Sequence, residues 1–361
     1  PEPEPTKPVV SPMYDYLMTL IYGPDWWKTR NSGFSARSGE TFSADQANAA
    51  NNSNGSVRLN KNSEIVPAAS LGAVAMMNTN TDFIASSALD SRFSYGDGLS
   101  GVVGVHAGDL EHKVGSSVDV KNYGAILGVA QDFGSFTFMP FIDVGSGKSE
   151  TKDMGDTDSK AKYKHLAVGI LGRLGSDSGF YTDGSIRVGR NKTDFEGRVG
   201  DQAVAFENTA TYFAGHFGLG YLMPISDNTK VDLFAKYYVS HLNSQDVDLV
   251  NKTTGQTEPW KLDSVTSHVS KIGAALKFNV SDDLRLLAGA SWQRVYGSEA
   301  KASVNFIGTG FVGEAVSPKL KGDSAVIDLG LKYKVSENFD LGLDATGMFG
   351  DSEGGAVKGS F

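Results

Sequence analysis

The sequence predicts an all-β fold: a 12-stranded antiparallel transmembrane β-barrel with an N-terminal α-helix in the pore. Three observations carry this expectation. From residue 98 to residue 361, apolar positions alternate with polar or small ones in segments of about 10 to 16 residues, separated by short Gly, Asp, Ser or Asn clusters. The second face of those segments repeatedly holds ionised side chains, which a dry core does not accept unpaired. Short and long connections alternate along the chain, as an up-and-down barrel requires.

Composition narrows the field first. The 361 residues are 40% hydrophobic and 21% charged, enough to build a large fold and too apolar for wholesale disorder. Lys+Arg 33 against Asp+Glu 42 gives a net charge of −9, and the pI near 5.2 removes the footprint of a nucleic-acid binder. Gly 43 is about one residue in eight, against a usual share of about 7%, and with Phe 20 and Tyr 13 it favours strands over long helices. Cys 0 excludes a disulfide scaffold, a thiolate metal site and a cysteine nucleophile. The most apolar stretch, residues 65–77, falls short of the ~20 residues of a spanning helix, so a helical membrane protein is excluded. With Pro1 first and no charged-then-apolar leader, a mature or trimmed product is expected.

The elements follow in order. Residues 1–12, with alternating prolines, read as a polyproline II spacer. Residues 13–27 place Met13, Leu17, Leu20 and Ile21 at helical spacing before Gly23-Pro24. That short amphipathic helix packs on a neighbouring domain or, alternatively, lies at a membrane interface with its Trp pair. Residues 31–62 are Ser-, Asn- and Gly-rich and read as a linker; 13–62 together form a passenger remnant or linker region. Ser63-Glu64 before Pro67 marks a helix start, continued by small residues to Met77. Asn78-Thr79-Asn80-Thr81 predicts a break, with Asp82 capping a second helical piece that runs to residue 92. Ala68, Leu71, Val74, Met77, Phe83 and Leu89 are the larger or periodic positions of this thin rod, and 63–97 is the pore-helix region.

The barrel, 98–361, is expected to have strands near 98–110, 118–132, 135–150, 160–174, 179–193, 207–225, 228–246, 262–280, 283–299, 321–336, 338–350 and 354–361. In 166–174 the outward set is Leu166, Val168, Ile170, Gly172 and Leu174. The opposite, lumen-facing set across the barrel includes Asp143, Arg173, Asp183, Arg187, Asp232, Lys236, Asp328 and Lys332. Such strands, oily outside and polar inside, must close on themselves because lipid cannot satisfy free backbone groups. Phe136, Phe138, Phe180, Tyr181, Tyr221, Tyr237 and Phe339 suit interfacial girdles. Short links at 226–227, 281–282 and 337–338 fit inner turns, and 151–159, 246–262 and 300–319 fit outer loops. A barrel of this size encloses a pore of about one helix diameter.

The proline-rich PEPEPTKP spacer, the small-residue helix before the first strand, the NYGAILGVAQDFG and FYTDGSIRVGRN strands and the terminal Phe361 together resemble the translocator domain of type V autotransporters of Gram-negative bacteria. The resemblance covers residues 63–361. It implies an outer-membrane anchor that carries its own N-terminal passenger to the cell surface and is then left plugged by the helix. The alternative is a porin-like diffusion channel, which needs neither spacer nor central helix. It further implies an assembly signal at Phe361 and Val357, with Gly359 standing where the family normally has a larger apolar residue. Expected partners are outer-membrane lipid and lipopolysaccharide, the barrel-assembly machinery, periplasmic chaperones and the chain's own passenger, with no nucleic acid.

Little chemistry is expected. Some members of that family release their passenger by asparagine cyclisation, and Asn51-Asn52 is the single Asn-Asn pair here, but its polar surroundings read as a solvated linker. The histidines show no metal-ligand spacing, and the one GxSxG match, residues 350–354, falls between two strands and not at a strand-to-helix elbow. No enzyme activity, metal or cofactor is expected.

Overall fold

A computed structural model describes residues 18–19, 56–59, 61–87, 98–113, 117–152, 158–175, 177–199, 202–306, 311–337 and 339–361. Among them, twelve strands close a barrel: β1 Gly98–Lys113, β2 Ser117–Asp132, β3 Phe136–Lys152, β4 Ser159–Gly175, β5 Gly179–Val199, β6 Gln202–Ser226, β7 Thr229–Leu242, β8 Val265–Asn279, β9 Leu284–Ser298, β10 Leu320–Ser336, β11 Phe339–Gly350 and β12 Ser352–Ser360. Each is antiparallel to the next, and β12 pairs with β1 (Val357 opposite Ala107), so the sheet has no free edge within the ring. Phe361 and Val103 exchange both backbone hydrogen bonds, at 2.6 and 2.8 Å, and complete the closing ladder.

The alternation in the sequence sets the two faces. Leu166, Val168, Ile170 and Leu174 on β4 point out to the lipid, as do Ile186 and Val188 on β5 and Leu329, Leu331 and Tyr333 on β10. Their neighbours in sequence point into the barrel. Tyr181 is a correction to the expected girdle: it is buried, because its hydroxyl donates to Asp232 at 2.8 Å and its ring lies 4.1 Å from the Arg173 guanidinium. A tyrosine with a luminal hydrogen-bond acceptor gains more inside than at the interface.

One end of the barrel is turned tightly, as at Gly134, whose φ of 78° suits glycine. The other end carries the larger structures. There β5 and β6 run further than the expected 193 and 207, because buried Phe195, Val199, Val204 and Phe206 sustain the alternation beyond the lipid belt. The expected outer loops 246–262 and 300–319 prove to be hairpins, with strands Gln245–Asn251, Thr257–Leu262, Lys301–Phe306 and Phe311–Val316 paired in that order and joined to β6. Val247, Leu249, Trp260, Leu262 and Val304 are buried, and burial on one face makes these segments strands where composition suggested polar loops.

Inside the ring lies α1, Ile65–Ser87, preceded by a 3-10 turn Lys61–Glu64. Its 23 residues span about 35 Å, enough to cross the hydrocarbon core. It is one continuous helix, which corrects the expected break at 78–81 and the capping role of Asp82. Thr79 and Thr81 return their hydroxyls to the Ala75 and Met77 carbonyls (3.2 and 2.7 Å), while Asn78 and Asn80 bond to the wall. Residues that favour caps when solvated are tolerated mid-helix because the barrel supplies their partners.

Candidate functional site

The plugged lumen is the candidate site, and it has two storeys. Toward the outer end the helix is packed as a dry plug: Ala68, Leu71, Val74 and Met77 are buried with Val118, Val120, Tyr212 and the outer-hairpin residues. Phe83 seats lower, against Gly104, where a Cβ would lie 2.7 Å from its ring. On the helix itself, a Cβ at Gly72 would overlap the Tyr163 hydroxyl and Ser149. That close approach lets Tyr163 donate to the Ala69 carbonyl at 2.9 Å while Ser149 lies 2.6 Å from its hydroxyl. Leu89, with Asn51 and Asn52, lies outside the described residues.

Toward the inner end the lumen is polar, and the helix is tied by charge. Asp82 sits 3.2 Å from Lys271 on β8 and 3.3 Å from Lys358 on β12, and it accepts from Tyr238 on β7 at 3.0 Å. Asp328 is 3.7 Å from Lys271 and accepts from Thr346 at 2.6 Å, so it shares the same cation. Lys358 also donates to Ser86 at 2.8 Å, and Lys236 donates to the Ala85 carbonyl. Two ammonium groups therefore meet the C-terminal turn of α1, the end at which the helix dipole favours positive charge.

Midway, a second network grips the polar run that the sequence suggested would break the helix. Arg187 donates to the Met77 carbonyl at 2.9 Å and to Thr81 at 3.0 Å, and lies 3.0 Å from Asp143. Asp143 also meets His165 at 3.1 Å, whose ring nitrogen is 3.0 Å from Asn80. His106 and Asn122 complete the group around the Asn80 carbonyl oxygen, at 2.6 and 3.1 Å.

The remaining expected luminal residues fall around the wall. Asp183 is 2.8 Å from His216 and 4.0 Å from Lys236. Asp232 is 2.9 Å from Lys277, and Lys332 is buried on β10. The structure brings Asp143 with Arg187, and Asp183 with Lys236, into pairs; it does not gather all eight into one cluster. Residues that sequence reasoning did not single out as luminal contacts are Asp82, Lys271, Lys358 and Tyr238. The available signal was Asp82 itself, an acid flanked by apolar and small residues in a helix meant for a pore. Two cavities lie between the helix and the wall beside Asp82: one of about 80 Å³ lined by Arg173, Asp183, Asp232, Lys236, Lys277 and Lys332, and one of about 50 Å³ lined by His112, Gln293, Thr346 and Met348. Among the described residues, no group of three or more His, Asp or Glu could hold a metal ion.

What this arrangement does physically is hold a helix across a closed membrane pore, with its N-terminus at the end carrying the hairpins. The chain just before it, Ser56–Arg58, adds as a parallel strand to Phe311–Val316, and the Leu59 amide donates to the Glu314 carbonyl at 2.8 Å. The chain thus leaves the pore on the hairpin side.

Comparison with known proteins agrees with this geometry. The family model "Autotransporter beta-domain" matches residues 110–346. No curated protein matches the chain. Among solved structures, the chain is similar to the translocator domain of the autotransporter NalP from Neisseria meningitidis, at 15% identity and a TM-score of 0.61, covering 82% of this chain and 98% of that one. It is also similar to the β domain of the Bordetella autotransporter BrkA (12% identity, TM-score 0.54, 73% of this chain and 98% of that one). A third is the transport unit of AIDA-I from Escherichia coli (12% identity, TM-score 0.53, 82% and 96%). At these identities the structures speak for the fold, and the family match speaks for the kind of protein. The chain belongs to the autotransporter β-domain family, as an outer-membrane barrel that translocates an N-terminal passenger and keeps its helix as a plug.

Proposed function

We propose that residues 63–87 are the trailing part of the exported chain, arrested in the pore by Asp82 and the Arg187 network, and that 98–361 is a self-contained translocator unit. In this reading 1–62 lie on the passenger side as spacer and linker. The observation that carries it is the direction of threading: α1 enters the barrel from the hairpin end, and Ser56–Arg58 is already outside the ring on an outer hairpin. The luminal carboxylates hold the plug through Lys and Arg and break no bonds.

Arg58 is exposed and the chain has no cysteine, so Arg58→Cys gives a clean reporter. Intact cells producing this variant are expected to react with a membrane-impermeant maleimide. Labelling only after lysis would contradict exit at the cell surface.

The finer partners follow from the outer surface and the C-terminus. The lipid-facing belt contacts outer-membrane lipid and lipopolysaccharide, and periplasmic chaperones carry the unfolded strands with their exposed apolar faces. Val357 on the strand that closes the ring and Phe361 immediately after it present outward side chains, which suits a signal read by the barrel-assembly machinery before closure. Deleting Phe361 is expected to lower the folded, heat-modifiable fraction in the outer membrane, and undiminished insertion would overturn its role as a signal.

A further inference from the structure

The lipid-facing surface is not electrically uniform. On β4 the outward residues pass from Leu166, Val168 and Ile170 directly to Lys164 and Lys162 on the hairpin side. The register aligns further cations with them: Lys121 is opposite Lys148 and Lys148 opposite Lys162, three adjacent strands with lysine at one level. One level nearer the apolar belt, Lys164 is opposite Lys192, and one level further in Arg190 is opposite Leu166. These six side chains are all exposed and all point away from the lumen.

Like charges directly across a ladder destabilise a sheet, and this chain is acidic overall, with a net charge of −9. Some of the cations are locally neutralised: Lys121 lies 2.5 Å from Asp109, Lys148 lies 3.8 Å from Glu150, and Lys192 reaches Asp194 and Glu207 at 3.1 Å. Among the described residues, Lys164 and Arg190 form no such ion pair, and Lys162 makes none either although it stands opposite Asp194 across the ladder. Along the same register the flanking strands differ in character, with Ala107 and Asp109 on β1 and Glu207, Thr209 and Thr211 on β6. Cations on four adjacent strands occur together on β2–β5, at the edge of the apolar belt, where lipid headgroups lie.

We infer that Lys162, Lys164 and Arg190, on the shelf begun by Lys121 and Lys148, form a binding site for the phosphates of a multiply phosphorylated glycolipid in the outer leaflet. The chemistry is fixed by position: acyl chains lie along Val168, Ile170, Val188 and Ile186, Arg190 stands level with Leu166 at the top of that belt, and the phosphates sit among it and the ammonium groups of Lys164 and Lys162 on the next two levels. Arginine adds a bidentate phosphate contact that lysine lacks. This inference rests on the lipid contact proposed above and gives it a place on one wall.

The test uses the full chain folded in nanodiscs and native mass spectrometry, with bis-phosphorylated lipid A as the probe, and its fully dephosphorylated form and phosphatidylethanolamine as comparisons. The folded protein is expected to retain the phosphorylated lipid in preference to both. The triple variant K162Q/K164Q/R190Q is expected to lose that retention by about 100-fold, from about a fivefold step per surface cation. The variant R294Q/K321Q, on the far wall, is expected to keep it, and millimolar inorganic phosphate is expected not to displace the lipid. Equal retention of the dephosphorylated lipid, or an equal loss in the far-wall variant, would overturn the site. Heat-modifiable migration confirms that each variant is folded. Surface labelling of Arg58→Cys reports separately on translocation, so failure here leaves that reading intact.

Discussion

Removing residues 63–92 is expected to raise single-channel conductance in planar bilayers several-fold. In the intact chain, the outer storey is closed by Ala68, Leu71, Val74 and Met77 packed on the wall and on the outer-hairpin residues. A helix with its side chains is about 10 to 12 Å across, so its loss leaves a water-filled passage lined by the charged residues it now covers. The barrel itself should persist, since its closure depends on the β12–β1 ladder and not on the helix. Conductance equal to that of the intact chain would show that the pore is sealed by something other than α1.

Asp82→Asn is expected to produce the largest loss of stability from a single substitution. The carboxylate is shared by Lys271 and Lys358, both buried, and by the Tyr238 hydroxyl. Removing one partner of a buried ion pair strands the other charge and costs about 3–5 kcal/mol. Lys271 retains Asp328 at 3.7 Å, whereas Lys358 keeps only the Ser86 hydroxyl among the partners described for it. The loss should therefore be relieved in part by Lys358→Met in the same molecule, because the stranded charge is then absent. Urea unfolding in micelles gives the comparison. Equal midpoints for the parent and Asp82→Asn would mean that the carboxylate does not anchor the helix. Because Lys358 lies on the closing strand and Lys271 on the far wall, the variant should also show brief openings at fixed voltage that the parent lacks.

The barrel was legible in the sequence because lipid imposes a rule that strands must obey one by one. Each segment declares its own outward face, as 166–174 does, and ionised side chains on the other face exclude a dry core. Connection lengths then give the two ends. Inward orientation of a side chain is a property of a single strand and can be read from alternation alone, whereas the partner it meets in the lumen cannot. Asp82 and Lys358 are 276 residues apart in sequence, and only closure of the ring brings them together.

The helix break failed for a related reason. Asn78, Thr79, Asn80 and Thr81 favour caps and turns when water competes for their side chains, but the lumen replaces water with Ser267, His106, His165 and Arg187. The outer hairpins were concealed by composition. Segments such as 245–262 are polar on their open side, and only the burial of Val247, Leu249 and Trp260 shows which face they use. The basic shelf on β2–β5 is invisible in any one segment, because its cations come from four strands and meet only through register.

The most direct measurement restores an export leader, places an epitope before Pro1, and treats intact cells with external protease. The translocator account predicts that the epitope is removed from intact cells, and that deleting residues 63–92 abolishes its exposure while the barrel still assembles. An epitope that stays protected beside a correctly assembled barrel would contradict the account and leave a channel with an N-terminal extension on the inner side of the membrane.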